Sequence, residues 1–185
     1  MTGIAIAIVI IVLALAVLLA MVARDQLRRR RLRDRFGPEY ERAVEHADSR
    51  RDAEHELAQR QRRHQELPLR RLPVDVRDRY ADEWLEVQEL FVDDPVHAIG
   101  EADRLVVAVM ADRGYPTEDY DQQLADLSVQ HAGTLQDYRT AHEIGERAAA
   151  GTATTEDLRQ AVVRYRALFE GLLGDRVDAG RDDSA

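Results

Sequence analysis

Cysteine is absent from this chain of 185 residues. That excludes disulfides, thiolate catalysis and zinc or iron–sulfur sites held by cysteine. Lysine is absent as well, so all 26 basic residues are arginine. A phosphate-binding loop of the Walker type needs a lysine and cannot form here. The serines are Ser49, Ser128 and Ser184, and none sits in a nucleophile motif. Activated-nucleophile chemistry therefore has little to work with. Aromatic residues make up only 5% of the chain. No segment alternates apolar and polar residues as a half-buried strand does, and no repeat stands out.

What is present falls into unlike parts. Ile4 to Ala23 reads IAIAIVIIVLALAVLLAMVA, twenty residues without a charge, glycine or proline. As a helix it measures about 30 Å, the thickness of a bilayer's hydrocarbon core. A cleaved signal peptide is the competing reading. Met1-Thr2-Gly3 supplies no basic side chain for one, and Leu18 and Met21 are poor residues three before a cleavage site. The expectation is a transmembrane helix.

Arg24, Arg28, Arg29, Arg30, Arg31, Arg33 and Arg35 follow at once. Basic residues stay on the cytoplasmic side, so this collar predicts an outside N-terminus and a cytoplasmic C-terminal domain. The same arginines suit anionic lipid headgroups. With two aspartates, the segment from Arg24 to Arg35 carries +5; the other nineteen arginines and thirty-three acids leave −14 elsewhere. That acidity argues against nucleic-acid binding.

The remainder reads as helices throughout, so the fold class is all-α: a transmembrane helix, a long polar helix and a small helical bundle. Phe36-Gly37-Pro38 interrupts the juxtamembrane helix, and a solvated stalk helix, partly docked on the domain, is expected to follow to Glu66, too poor in apolar residues for a coiled coil. Leu67 to Pro73 reads as a linker between prolines. Val76, Tyr80, Trp84, Val87 and Phe91 then recur at helical spacing, with Trp84 as a core anchor. Asp94-Pro95 starts the next helix and Gly114 stops it. Thr117 is expected to cap a short acidic helix containing Tyr120, Leu124 and Leu127. A further helix uses Leu135, Tyr138, Ala141, Ile144 and Ala148. Thr154 with Asp157 resembles a capping box before the last helix of Leu158, Val162, Tyr165, Phe169 and Leu172. The expected organisation is 1–3 outside, 4–23 transmembrane, 24–36 basic, 37–66 stalk, 67–73 linker, 74–174 bundle, and a disordered tail over 175–185.

Candidate chemistry is sparse. His46, His55 and His64 lie nine residues apart on one expected helix, about 13 Å from one to the next. They cannot share one ion. His97 with Glu101 and His142 with Glu146 are spaced four apart and could each offer two metal ligands. Solvated pairs are the simpler reading of that spacing. No cofactor site is expected.

The runs Arg35-Phe36-Gly37-Pro38-Glu39-Tyr40-Glu41-Arg42, Phe91-Val92-Asp93-Asp94-Pro95, Glu101-Ala102-Asp103-Arg104-Leu105, Arg113-Gly114-Tyr115-Pro116 and Tyr165-Arg166-Ala167-Leu168-Phe169 carry a resemblance. They resemble a family of uncharacterised single-pass membrane proteins from high-GC Gram-positive bacteria. The resemblance covers most of the chain and implies no activity, substrate or catalytic residue. The leading expectation is a non-enzymatic module, tethered to the inner face of the membrane, that recruits a protein partner. Two alternatives stay open. One is a metal-dependent sensor or enzyme using His97, Glu101, His142 and Glu146. The other is a structural subunit of a larger membrane complex.

Overall fold

The structure, a computed structural model, describes residues 2–174, with side chains at 13 and from 15 onward. The tail expected to be disordered over 175–185 lies outside the described residues. Every regular element among the described residues is a helix: α1 (Thr2–Phe36), α2 (Pro38–His46), α3 (Arg50–Glu66), α4 (Val74–Asp93), α5 (Pro95–Arg113), α6 (Tyr120–Leu127), α7 (Ala132–Ala149) and α8 (Thr155–Gly174). The chain divides into two compact units, Met1–Ala58 and Gln59–Ala185.

In the first unit α1 continues without a break from the apolar run into the basic collar. No helix found among the described residues is long and apolar enough to cross a membrane. Half of the expected span, 4–12 and 14, lies outside the described side chains. Gly37 stops α1 at φ 48°, a left-handed conformation that suits glycine, and Pro38 opens α2.

The expected single stalk helix is two helices. It breaks at Ala47, whose backbone is extended at φ −91° and ψ 153°. Ser49 then restarts it: the Asp52 backbone N–H donates to Ser49 Oγ at 3.3 Å, and Ser49 Oγ donates to Asp52 Oδ2 at 2.5 Å. A local side-chain cap here outcompetes continuation of the helix. Tyr40, Ala53 and Leu57 are buried, as are Leu32 and Phe36 of α1.

In the second unit α4 to α8 pack around one apolar core. The stripes expected from the sequence face inward. Tyr80, Trp84 and Val87 of α4 are buried, with Leu105, Val106, Val109 and Met110 of α5, Leu135 and Tyr138 of α7, and Leu158, Tyr165 and Phe169 of α8. Trp84 stacks on Phe169 with ring centroids 4.8 Å apart. Such a pair adds about 0.5–1.5 kcal/mol beyond its buried area.

The caps are partly as expected. The Asp94 carboxylate accepts from the His97 N–H at 3.1 Å, and Gly114 closes α5 at φ 94°. Thr154 and Asp157 form a reciprocal box: Asp157 N–H donates to Thr154 Oγ1 at 3.2 Å, and Thr154 N–H donates to Asp157 Oδ2 at 2.9 Å. Thr117 is not the cap of α6. Asp119 holds that place and accepts from Gln122 N–H at 2.7 Å, because a carboxylate two residues later meets the free amides directly.

The 67–73 segment is not a free linker. Leu67, Leu69 and Leu72 pack against the core. Arg70 donates its backbone N–H to Arg113 O at 3.0 Å and its Nε–H to Asp112 O at 2.7 Å. A Cβ at Gly114 would lie 2.7 Å from Pro68 O. The segment is a strap laid over the end of α5.

Candidate functional site

The collar is the one block of site residues singled out by sequence, and its seven arginines do not behave alike. Arg29 is held twice: Nη2 lies 2.7 Å from Asp25 Oδ2, one turn before it, and Nε lies 3.5 Å from Glu54 Oε1. Glu54 is buried and accepts a hydrogen bond from Tyr40 Oη at 2.9 Å. Arg33 pairs with Glu41 at 2.9 Å and its guanidinium sits over the Tyr40 ring, 5.2 Å from the centroid. These contacts lock the lower collar to α2 and α3. Burial and the bond to Glu54 together push the Tyr40 phenol above its usual range. Arg24, Arg28, Arg30, Arg31 and Arg35 make no ion pair among the described residues and are exposed. They are the part of the collar left for an outside anion.

The bundle carries two pockets that contain His97 and His142, the histidines of the alternative metal reading. Between α4 and α5 a pocket of about 540 Å³ has Val87, Leu90 and Leu105 as apolar floor and Glu83, Glu86, His97 and Glu101 around it. His97 Nε2 lies 3.6 Å from Glu101 Oε1, and Arg104 also binds Glu101. The Arg104 hydrogen bond holds the Glu101 carboxyl below the usual range. Glu101 thus already carries a cation.

The second pocket, about 200 Å³, is lined by residues of α5, α7 and α8, among them Ile99, Asp103, His142, Glu146 and Tyr165. His142 Nδ1 lies 3.3 Å from Asp103 Oδ1, and the Tyr120 ring stacks on the imidazole with centroids 4.1 Å apart. The bond to Asp103 raises the His142 pKa despite partial burial. Burial pushes the Tyr120 phenol up to about 12. Tyr138 and Tyr165, buried deeper, are raised further by desolvation.

The four-ligand set of the alternative metal reading is not assembled. His97 and His142 belong to different pockets, and His142 takes Asp103 rather than Glu146 as its partner. No group of three or more His, Asp or Glu residues among the described ones is placed to hold a metal. The physical reason is that the two helix faces carrying these pairs point to different neighbours. A single His–Asp pair can hold or pass a proton, but among the described residues no serine or threonine hydroxyl is hydrogen-bonded to it.

Sequence reasoning missed the polar groups inside the bundle. Arg113 is 1% exposed and donates from Nη1 to Leu172 O at 2.5 Å. Asp126 is 0% exposed, with Arg63 Nε at 3.7 Å from its carboxylate. Both lie on the buried side of their helices, Arg113 one turn after Val109 and Met110 on α5 and Asp126 between Gln123 and Leu127 on α6. That register was the available signal, and their charge hid it.

No protein-family model, curated protein or solved structure matches the chain.

Proposed function

We propose that this protein is a non-enzymatic, membrane-tethered interaction module whose acidic helical bundle works at the inner face of the membrane. One observation carries the reading. The large apolar side chains described within the apolar run of α1, Leu13, Leu15, Val17, Leu18, Leu19, Met21 and Val22, are all exposed, at 47–66%. They make a helical surface that only an apolar solvent or another apolar surface would cover, and the sequence from Ile4 to Ala23 is uncharged throughout. The collar that follows sets the proposed orientation by the positive-inside bias. The open groove between α4 and α5, lined by Val87, Leu90 and Leu105 and by the acids Glu83 and Glu86, with Glu101 already answered by Arg104, suits a partner that presents basic residues around an apolar anchor.

The test of placement is chemical labelling. The chain has no cysteine, so a Ser184→Cys variant carries a single thiol. In intact cells a membrane-impermeant maleimide is expected to leave it unlabelled, and to label it after lysis. Labelling in intact cells would reverse the orientation. Release of the wild-type protein from membranes by alkaline carbonate would sink the tether altogether. For the partner, photocrosslinking from position 90 in native membranes is expected to give one discrete adduct, lost when Glu83 and Glu86 are both changed to glutamine.

A further inference from the structure

At the junction of the apolar and basic parts of α1 the first unit holds a pocket of about 570 Å³. Leu18, Met21 and Val22 form its apolar part, and Arg24 and Arg28 lie on the side toward the collar. A third guanidinium comes from elsewhere: Arg51, in the first turn of α3. The break at Ala47 and the restart at Ser49 bring it there.

We propose that this pocket is a binding site for one anionic phospholipid. Arg24, Arg28 and Arg51 hold the headgroup phosphate, and the acyl chain runs along Leu18, Met21 and Val22. The inference rests on the tether reading and names the ligand of that site.

Three observations carry it. First, Arg24, Arg28 and Arg51 are exposed and make no hydrogen bond or ion pair among the described residues, whereas Arg29 and Arg33 do. The pocket gathers uncommitted cations. Second, the one acid in its lining, Asp25, is bound to Arg29 at 2.7 Å, so its charge is answered from within α1. Third, the pocket is apolar at one end and cationic at the other, along ten residues of helix from Leu18 to Arg28. That is about 15 Å, enough to cross from acyl chains into the headgroup layer. A free phosphate would use the arginines and leave the apolar end empty. A phospholipid uses both.

The experiment is a titration of the full-length, detergent-purified protein with phosphatidylglycerol, read as bound lipid by native mass spectrometry. Phosphatidylcholine and inorganic phosphate serve as the comparison ligands. Phosphatidylglycerol is expected to bind with a stoichiometry of one and in preference to phosphatidylcholine. Arg51→Gln is expected to weaken it about fivefold, the value of one surface arginine toward an anionic lipid. The triple variant R24Q/R28Q/R51Q should weaken it by about two orders of magnitude. R30Q/R31Q/R35Q removes the same charge outside the pocket and should stay within about twofold of wild type.

Equal losses in the two triple variants would overturn the site and leave only diffuse attraction. Unchanged binding in Arg51→Gln would overturn it too. Displacement of the lipid by millimolar inorganic phosphate would make it a phosphate site instead. The carbonate extraction above reads the tether separately, so a failed tether and a failed lipid site give different results.

Discussion

Leu18 and Leu168 are the same residue in the same secondary structure, yet one is 57% exposed and the other 0%. The contrast runs through both parts of the molecule. In α1 the large apolar side chains described between Leu13 and Val22 are all exposed, whereas in α4 to α8 the core residues face inward along a stripe on each helix. A helix that is apolar all round must be covered by something other than its own chain, while a striped helix can be covered by its neighbours. The difference teaches that helix content says nothing about solvent. The angular width of the apolar face does.

Substitutions can break this contrast, and their effects should fall in a definite order. Leu168→Ala removes a fully buried side chain and should cost about 2–5 kcal/mol of bundle stability. Leu18→Ala should leave the bundle's denaturation midpoint within about 0.5 kcal/mol of wild type. Chemical denaturation of the full-length protein in detergent, followed by Trp84 fluorescence, checks both. If the two substitutions cost the same, the contrast has no energetic content.

Leu13→Arg tests the outer surface. A charge near the middle of a membrane helix costs about 2.5–3.5 kcal/mol of insertion. The variant is expected to shift from the carbonate-resistant to the soluble fraction, with the thermal midpoint of the bundle unchanged.

Gly114→Ala sharpens the comparison inside the bundle. The position has φ 94° and a Cβ there would meet the Pro68 carbonyl at 2.7 Å. The cost should exceed about 1 kcal/mol, and proteolysis should begin within the 67–73 strap. Thr154→Ala loses the reciprocal cap of α8 and should cost about 1 kcal/mol.

The smallest effect concerns His142. Asp103 holds its pKa above the ordinary value, so the folded state binds this proton more tightly than the unfolded chain. The stability from the pair is fully present below the unfolded value of about 6.5 and is lost as pH rises through the higher folded value. Glu143 and Glu146 nearby act in the same direction. Both partners are partly exposed, so the loss is on the order of 0.5 kcal/mol. Asp103→Asn should flatten the dependence of the thermal midpoint on pH across that window.

Much of the bundle was legible before the structure. The stripe from Tyr80 to Val87 and the stripe from Leu158 to Leu172 repeat every three or four residues, and that period needs no knowledge of partners. Asp94, Gly114 and the Thr154–Asp157 box were legible for the same reason: a cap is satisfied within about four residues of itself. The stalk failed as a single helix because Ser49 and Asp52 are also a local signal, and it was overlooked in a run rich in helix formers. The site was less legible. Arg24 and Arg28 stood in the collar, but their third partner stood twenty-three residues further on, with nothing around Arg51 to distinguish it from its neighbours.

The sequence by itself determined the helices, their apolar faces, most of their caps, and the junction between an uncharged run and an arginine collar. Each depends on residues within one or two turns. Only the tertiary structure decided which arginines are spent on Asp25, Glu41 and Glu54, that His142 takes Asp103, that Arg113 and Asp126 are buried, and that Leu67 to Pro73 is a strap. Each of the last three, like the Arg29–Glu54 pair, joins residues from different helices or segments. Spacing along a chain carries no information about which face of one helix will meet which face of another.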